Sequence, residues 1–229
     1  MNSNIPEHIA IILDGNRRWA KSHNLPPMTG HKKGFEHTLD IIYHAQKLGI
    51  KILTLYAFST ENWQRPKKEV DFLMKLFSSA FDKHGDIFNK KNIRLVHLGD
   101  KTRLQKSLIE KIEHGVDLTK NNDSMTVQLA INYGGRDEIR RMIKRLIQNK
   151  IEAENITDEL ISDNLDSAGI SDPDLIIRTS GEKRISDFLL WQSAYAELYF
   201  CDKMWPDFKE EDLDVAIAEF QNRQRRFGK

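Results

Sequence analysis

The chain has 229 residues, 39% of hydrophobic type and 30% charged, enough for one sizeable core and an expected single domain over residues 1–229. Thirty-five Lys and Arg against thirty-four Asp and Glu leave a formal charge of +1, which excludes a global field holding the protein on DNA, RNA or an anionic bilayer, so any anion site is local. A lone Cys201 excludes an internal disulfide framework and a multi-cysteine zinc site, and no apolar run nears the ~20 residues of a spanning helix; the expected compartment is the cytoplasm, with no export signal.

In chain order, short apolar runs at 9–13, 52–57, 93–98, 127–131, 175–177 and 198–200 read as buried strands. Helical spacing fills the gaps: Phe35, Leu39, Ile42 and Ala45; then Val70, Leu73, Phe77 and Phe81; then Leu104, Leu108 and Ile112; then Ile139, Ile143 and Leu146. Strands alternating with helices predict an α/β fold, a mostly parallel sheet flanked by helices.

In open sheets of this kind ligands bind beyond the carboxyl ends of the strands. Asp14-Gly15-Asn16-Arg17-Arg18-Trp19 follows the first predicted strand, and Ser59-Thr60-Glu61-Asn62-Trp63-Gln64-Arg65 follows the second. Asn132-Tyr133-Gly134-Gly135-Arg136 follows the fourth, and Arg178-Thr179-Ser180-Gly181-Glu182-Lys183-Arg184 the fifth. Guanidiniums offer planar forks of donors to phosphate oxygens, and Gly lets backbone N–H groups approach closely. One unit charge pair at 4 Å and an effective dielectric near 20 is worth about 4 kcal/mol, so Arg18, Arg65, Arg178 and Arg184 would dominate recognition of a diphosphate.

Asp14 is placed either as a Mg²⁺ ligand, since that ion takes one or two carboxylates plus phosphates and waters, or as the N-cap of a helix from Asn16. Glu197 is a second ligand or an exposed strand residue. His31, within Gly30-His31-Lys32-Lys33-Gly34, reads as a phosphate donor or a helix-entry residue. The apolar face of Val70, Leu73, Met74, Phe77 and Phe81 is core or one wall of a lipid tunnel. Walker, dinucleotide, Asp-Asp-x-x-Asp and nucleophile-elbow motifs are all missing.

Taken together, the segments HIAIILDGNRRWA (8–20), LYAFSTENW (55–63), NYGGR (132–136), RTSGE (178–182) and FLLWQ (188–192) resemble the cis-prenyltransferases, over nearly the whole chain. The resemblance implies a homodimeric α/β fold with a hydrophobic tunnel. The implied reaction condenses isopentenyl diphosphate in the Z configuration onto an allylic starter such as farnesyl diphosphate. A medium-chain polyprenyl diphosphate, undecaprenyl diphosphate, is the expected product, a lipid carrier for cell-wall glycans handed to the inner face of the membrane; no nucleic-acid partner is expected. By the same resemblance, Asp14 assists Mg²⁺ and diphosphate departure. Gly15, Asn16, Arg17, Arg18 and His31 hold the allylic headgroup, with Trp19, Trp63 and Arg65 also contacting substrate. Arg178, Arg184, Ile185 and Ser186 match the isopentenyl diphosphate site, Glu197 a second metal ligand, and Ser59, Thr60 and Glu61 a substrate-contact loop. Asn62 matches the position assigned proton acceptance; a neutral amide is a very weak base, so it is better suited to orienting the acceptor.

The chain departs from the family pattern at Pro27, where an Arg is common, at Lys183 in place of a frequent His, at Asp187 in place of Asn, and at Ser180 in place of Gly. Lys21, Lys32 or Lys33 are candidates to replace the lost cation. Arg226, near the end of the chain, resembles a residue that reaches the partner's diphosphate site.

Overall fold

The computed structural model describes residues 5–224, so Arg226 lies outside the described residues. The elements run β1 (His8–Ile12), α1 (Asn16–Ser22), α2 (Pro27–Leu48), β2 (Ile52–Ser59), a 3₁₀ turn (Thr60–Gln64), α3 (Lys67–Lys90), β3 (Ile93–Leu98) and α4 (Lys106–Thr119). Then come β4 (Met125–Tyr133), α5 (Gly135–Gln148), α6 (Asp158–Asp163), β5 (Leu175–Arg178), β6 (Glu197–Phe200) and α7 (Glu210–Gln221). All six expected strands form.

The strands make one sheet in the order β3-β4-β2-β1-β5-β6, and every neighbouring pair is parallel. Parallel strands are covered on both faces, which is why β1 is buried at every position and reads as an unbroken apolar run after His8. Its alternate residues divide between the two layers. Ile9 and Ile11 pack with Leu53, Leu55 and Val127 against α2 and α7, while Ala10 and Ile12 pack with Tyr56, Ile176 and Phe188 on the other face. α3 and α4 close a third cluster over Phe58 and Ile131, built from Val70, Leu73, Met74, Phe77, Leu108 and Ile112.

Local sequence sets the helix limits. α2 starts on Pro27, whose fixed φ suits a first helical position, and ends at Gly49 with φ 86°. Two expectations need correction. Leu104 lies ahead of α4, and Ile143 is 47% exposed because Met142 and Leu146 take the inward face of α5. The six-residue α6 offers too few turns for a periodic signal; it is started by Thr157, whose hydroxyl accepts from Leu160 N–H at 3.2 Å.

Two imidazoles sit in the sheet, His8 buried and His97 partly buried. His8 donates Nδ1–H to Ser171 O at 2.6 Å and lies 2.7 Å from the Thr54 hydroxyl, and His97 bonds Ile131 O. Burial lowers each pKa from 6.5 to about 4. In the unfolded chain both take up protons near pH 6.5, so between 6.5 and 4 the unfolded state binds more protons and stability falls as pH falls. Each lowering is worth roughly 3 kcal/mol at most. Chemical denaturation from pH 7 to 4.5 is expected to show that loss, with a shallower slope for His8→Gln; an unchanged slope would contradict the assignment.

Candidate active site

β1 sits where the connections diverge, with β2 on one side and β5 on the other, so the crevice of the sheet opens between the ends of β1 and β5. Asp14 leaves the first and Arg178 ends the second. Arg178 Nη2 donates to Asp14 Oδ2 at 2.8 Å, while its Nη1 donates to Arg184 O at 2.6 Å and Ser186 Oγ at 2.7 Å. Thr179 Oγ1 accepts from Asp14 N–H at 3.0 Å and donates to Asp14 O at 2.7 Å, which locks the loop. Arg18 approaches Asp14 Oδ2 at 3.4 Å and donates to Glu182 Oε1 at 3.1 Å; Arg184 closes on the same Glu182.

Asp14 is not a helix cap. Gly15 holds the N-cap position of α1 with φ 106°, and its N–H donates back to Asp14 Oδ1 at 2.7 Å. A Cβ at Gly15 would stand 2.9 Å from Met204 Cβ, and one at Gly30 would stand 2.0 Å from Asn16 O, so both glycines let the backbone close around the carboxylate.

The cleft encloses about 1200 Å³. Arg17, Arg18, Arg65, Arg136 and Arg178 line it, as do His31, Ser59, Glu61, Asn62 and Ser186. Arg178 Nε, Ser180 Oγ and Asn16 Oδ1 are buried with no partner among the described residues. Unmet polar atoms cost about 1–3 kcal/mol each, and two of these three belong to residues lining the cleft, Arg178 and Asn16, which suits a polar ligand there. A second, apolar pocket of about 100 Å³ opens from the same place, sharing Leu13, Asn16, His31, Ala57 and Leu73 and continuing to Leu76, Phe77 and Ala80 between α2 and α3. An anion cradle and a greasy channel thus meet at one rim.

The prenyltransferase family model, described for undecaprenyl diphosphate synthases, matches residues 12–228. The chain belongs to this family. The prenyltransferase is 48% identical over 234 residues to the isoprenyl transferase of Streptococcus mutans, covering 99% of this chain and 94% of that protein. To the isoprenyl transferase of Neisseria gonorrhoeae it is 48% identical over 225 residues, covering 98% and 90%. Among solved structures, lavandulyl diphosphate synthase from Lavandula x intermedia in complex with dimethylallyl diphosphate superposes with a TM-score of 0.94 at 36% identity, covering 98% of this chain and 99% of that one. The probable undecaprenyl diphosphate synthase of Campylobacter jejuni gives 0.82 at 38%, covering 99% and 100%.

Several expected site residues of the prenyltransferase stand off the cleft wall. Trp19 stacks on His23 at 4.2 Å and donates to Asp207 Oδ1 at 2.8 Å. Trp63 donates to Asn132 Oδ1 at 2.7 Å and lies under Arg103. Thr60 bonds Glu61, Ile185 packs on the Tyr56 and Phe188 cluster, and the Arg184 side chain is mostly exposed. Asn62 does line the cleft, with its amide oxygen accepting Ser59 N–H at 3.3 Å, so it shapes the turn. Of the three lysines considered beside Pro27, Lys21 alone lines the cleft.

Glu197 needs correction as a ligand sharing a metal with Asp14 in one chain. It opens β6 three positions before Phe200, which pairs with Arg178, so it sits toward the opposite edge of the sheet. Its carboxylate is held there by Arg223 Nη1 at 2.9 Å. Among the described residues no group of three His, Cys, Asp or Glu could hold a metal. Any Mg²⁺ in this cleft would rest on Asp14, whose hard oxygen stands beside the Arg178 and Arg18 guanidiniums and fits an ion that completes its shell from phosphates and waters.

Sequence reasoning missed Glu69. Only 6% exposed, it receives His31 Nε2 at 3.0 Å and Arg65 Nη1 at 3.2 Å on one oxygen, with Arg17 Nε 3.7 Å from the other. The Arg65 to Glu69 spacing of four across the start of α3 was the available signal. Burial lowers the His31 pKa against the opposing pull of Glu69. The neutral ring donates Nε2–H to Glu69, leaving an acceptor at Nδ1; it donates to a diphosphate there only as the imidazolium. Glu69→Gln is expected to raise the KM for diphosphate substrate about tenfold, with a smaller change in kcat, because three cleft groups lose one anchor; steady-state kinetics check this. Asp187 and Tyr56 also line the cleft, and burial raises both pKa values.

Proposed function

We propose that this single-domain enzyme condenses isopentenyl diphosphate repeatedly onto an allylic diphosphate, farnesyl diphosphate in the first instance, releasing a medium-chain polyprenyl diphosphate. The observation that carries the reading is the Asp14 and Arg178 pair in an Arg-lined cleft that shares Leu13, Asn16, His31, Ala57 and Leu73 with an apolar channel. Arg17, Arg18 and Arg65 bind the leaving diphosphate, where negative charge grows as the allylic C–O bond breaks. Arg178 and Ser186 hold the incoming diphosphate, so that its double bond faces the allylic carbon. A C–C bond forms, a proton leaves the adjacent carbon, and Asn62 orients the group that takes it. Mg²⁺, held by Asp14, would supply further charge neutralisation of the departing diphosphate.

The acceptor of the tail is the apolar pocket, and a pocket of about 100 Å³ is below the ~300 Å³ of even a small-molecule site. A polyprenyl tail requires α2 and α3 to part along Leu76, Phe77 and Ala80. The undecaprenyl product, the homodimer and a cytoplasmic location with delivery at the membrane face belong to the same reading. Incubation with labelled isopentenyl diphosphate, farnesyl diphosphate and Mg²⁺, followed by sizing of the lipids, tests it. A ladder of lengthened prenyl chains supports elongation. A single short coupling product would favour a second reading, to which the narrow pocket lends weight, and release of inorganic phosphate without lengthening would refute both.

A further inference from the structure

The charge of the chain is balanced overall and unbalanced locally. Between Asp14 and Glu36 there is no acidic residue, while Arg17, Arg18, Lys21, Lys32 and Lys33 supply five cations. This stretch folds as a hairpin of α1 and α2, and every residue from 21 to 29 at its tip is exposed. Arg17 and Arg18 turn inward to Glu69, Asp14 and Glu182. Lys32 and Lys33 do not line the cleft; Lys32 lies 3.9 Å from Glu36, and Lys33 has no ion pair among the described residues. Met28 and Lys32, four apart on α2, share its outer face, because Pro27, His31 and Gly34 take the side toward the cleft and channel.

Apolar side chains stand among these cations. Met28 is 36% exposed and Leu25 is 40% exposed, and Leu25 reaches the cleft mouth. Exposed apolar groups flanked by exposed lysines, of which only Lys32 has a carboxylate within ion-pair reach among the described residues, suit the boundary of an anionic bilayer, where acyl chains receive the first and lipid phosphates attract the second. Continuity with the cleft strengthens the match, because a product with a charged head and a long tail would leave beside a surface able to receive it.

We propose that the tip of the α1–α2 hairpin, through Leu25, Met28, Lys32 and Lys33, docks the enzyme on an anionic membrane surface at the mouth of its cleft. The purpose assigned to that docking, handing over a lipid product, rests on the elongation reading above; the docking itself does not. Sedimentation of the full chain with vesicles of phosphatidylglycerol and phosphatidylcholine, against phosphatidylcholine alone, tests it. Binding should favour the anionic vesicles, weaken with salt, and fall about tenfold in Met28→Ser combined with Lys32→Gln and Lys33→Gln. Prenyl transfer by that variant in detergent should equal the parent's, which also shows that it folds. Equal binding to both vesicle types, no binding by the parent, or full binding by the variant would overturn the proposal. Retention of the hairpin's effect on duplex DNA but not on vesicles would overturn it as well. Anionic-vesicle binding by a chain that transfers no prenyl group would leave the docking standing and remove the elongation reading.

Discussion

Asp14→Ala should lower kcat by at least about a thousandfold while the thermal transition stays cooperative. The carboxylate is the oxygen donor that fits Mg²⁺ in the cleft and the charge that orients Arg178 at 2.8 Å. Removal of one electrostatic group aimed at a departing anion typically costs about 10²–10³ in rate, and here two functions vanish together. Stability is protected because Arg178 keeps its bonds to Arg184 O and Ser186 Oγ. Turnover with labelled isopentenyl diphosphate, read beside a melting curve, checks both halves. Activity within about tenfold of the parent would remove Asp14 from the chemistry.

Arg178→Lys is the second large effect, with an expected loss of about a hundredfold in kcat/KM. Arg178 is 5% exposed and its fork spans Asp14, the Arg184 carbonyl and the Ser186 hydroxyl at once. An ammonium is a compact charge on a flexible stem and cannot reproduce a planar three-way contact. The loss should fall chiefly on KM for isopentenyl diphosphate. Combined with Asp14→Ala, the effects should be far from additive, since the two side chains share one contact. Additive losses would mean that they act apart.

The strands were legible because a parallel sheet buries both faces, so β1 and β5 carry apolar residues with no polar alternation to blur them. The cleft was legible for the same reason: polar residues immediately after such strands share one edge. Arg184 and Trp63 show where that logic stops. Both follow strands in sequence, yet the turn after β2 rolls Trp63 onto Phe58, and the loop after β5 leaves Arg184 outside while its carbonyl faces the site. Which way a loop side chain points depends on packing partners that a linear pattern does not contain. Glu197 illustrates a different limit, because a carboxylate at the start of a parallel strand lies at the edge opposite to one that follows a strand. Glu69 escaped notice because a carboxylate early in a helix is usually read as favourable to the helix dipole, and its burial under three cationic or imidazole groups is a tertiary fact.

The bond joining Asp14 to Arg178 spans 164 positions of chain. During synthesis at about 5–20 residues per second, a nascent polypeptide can assemble β1 through β4 while still attached to the ribosome and own no working centre at all. Competence arrives only with the fifth strand. The same separation predicts that a polypeptide cut in the exposed stretch around 152–157 would yield two inert fragments whose reassociation restores turnover.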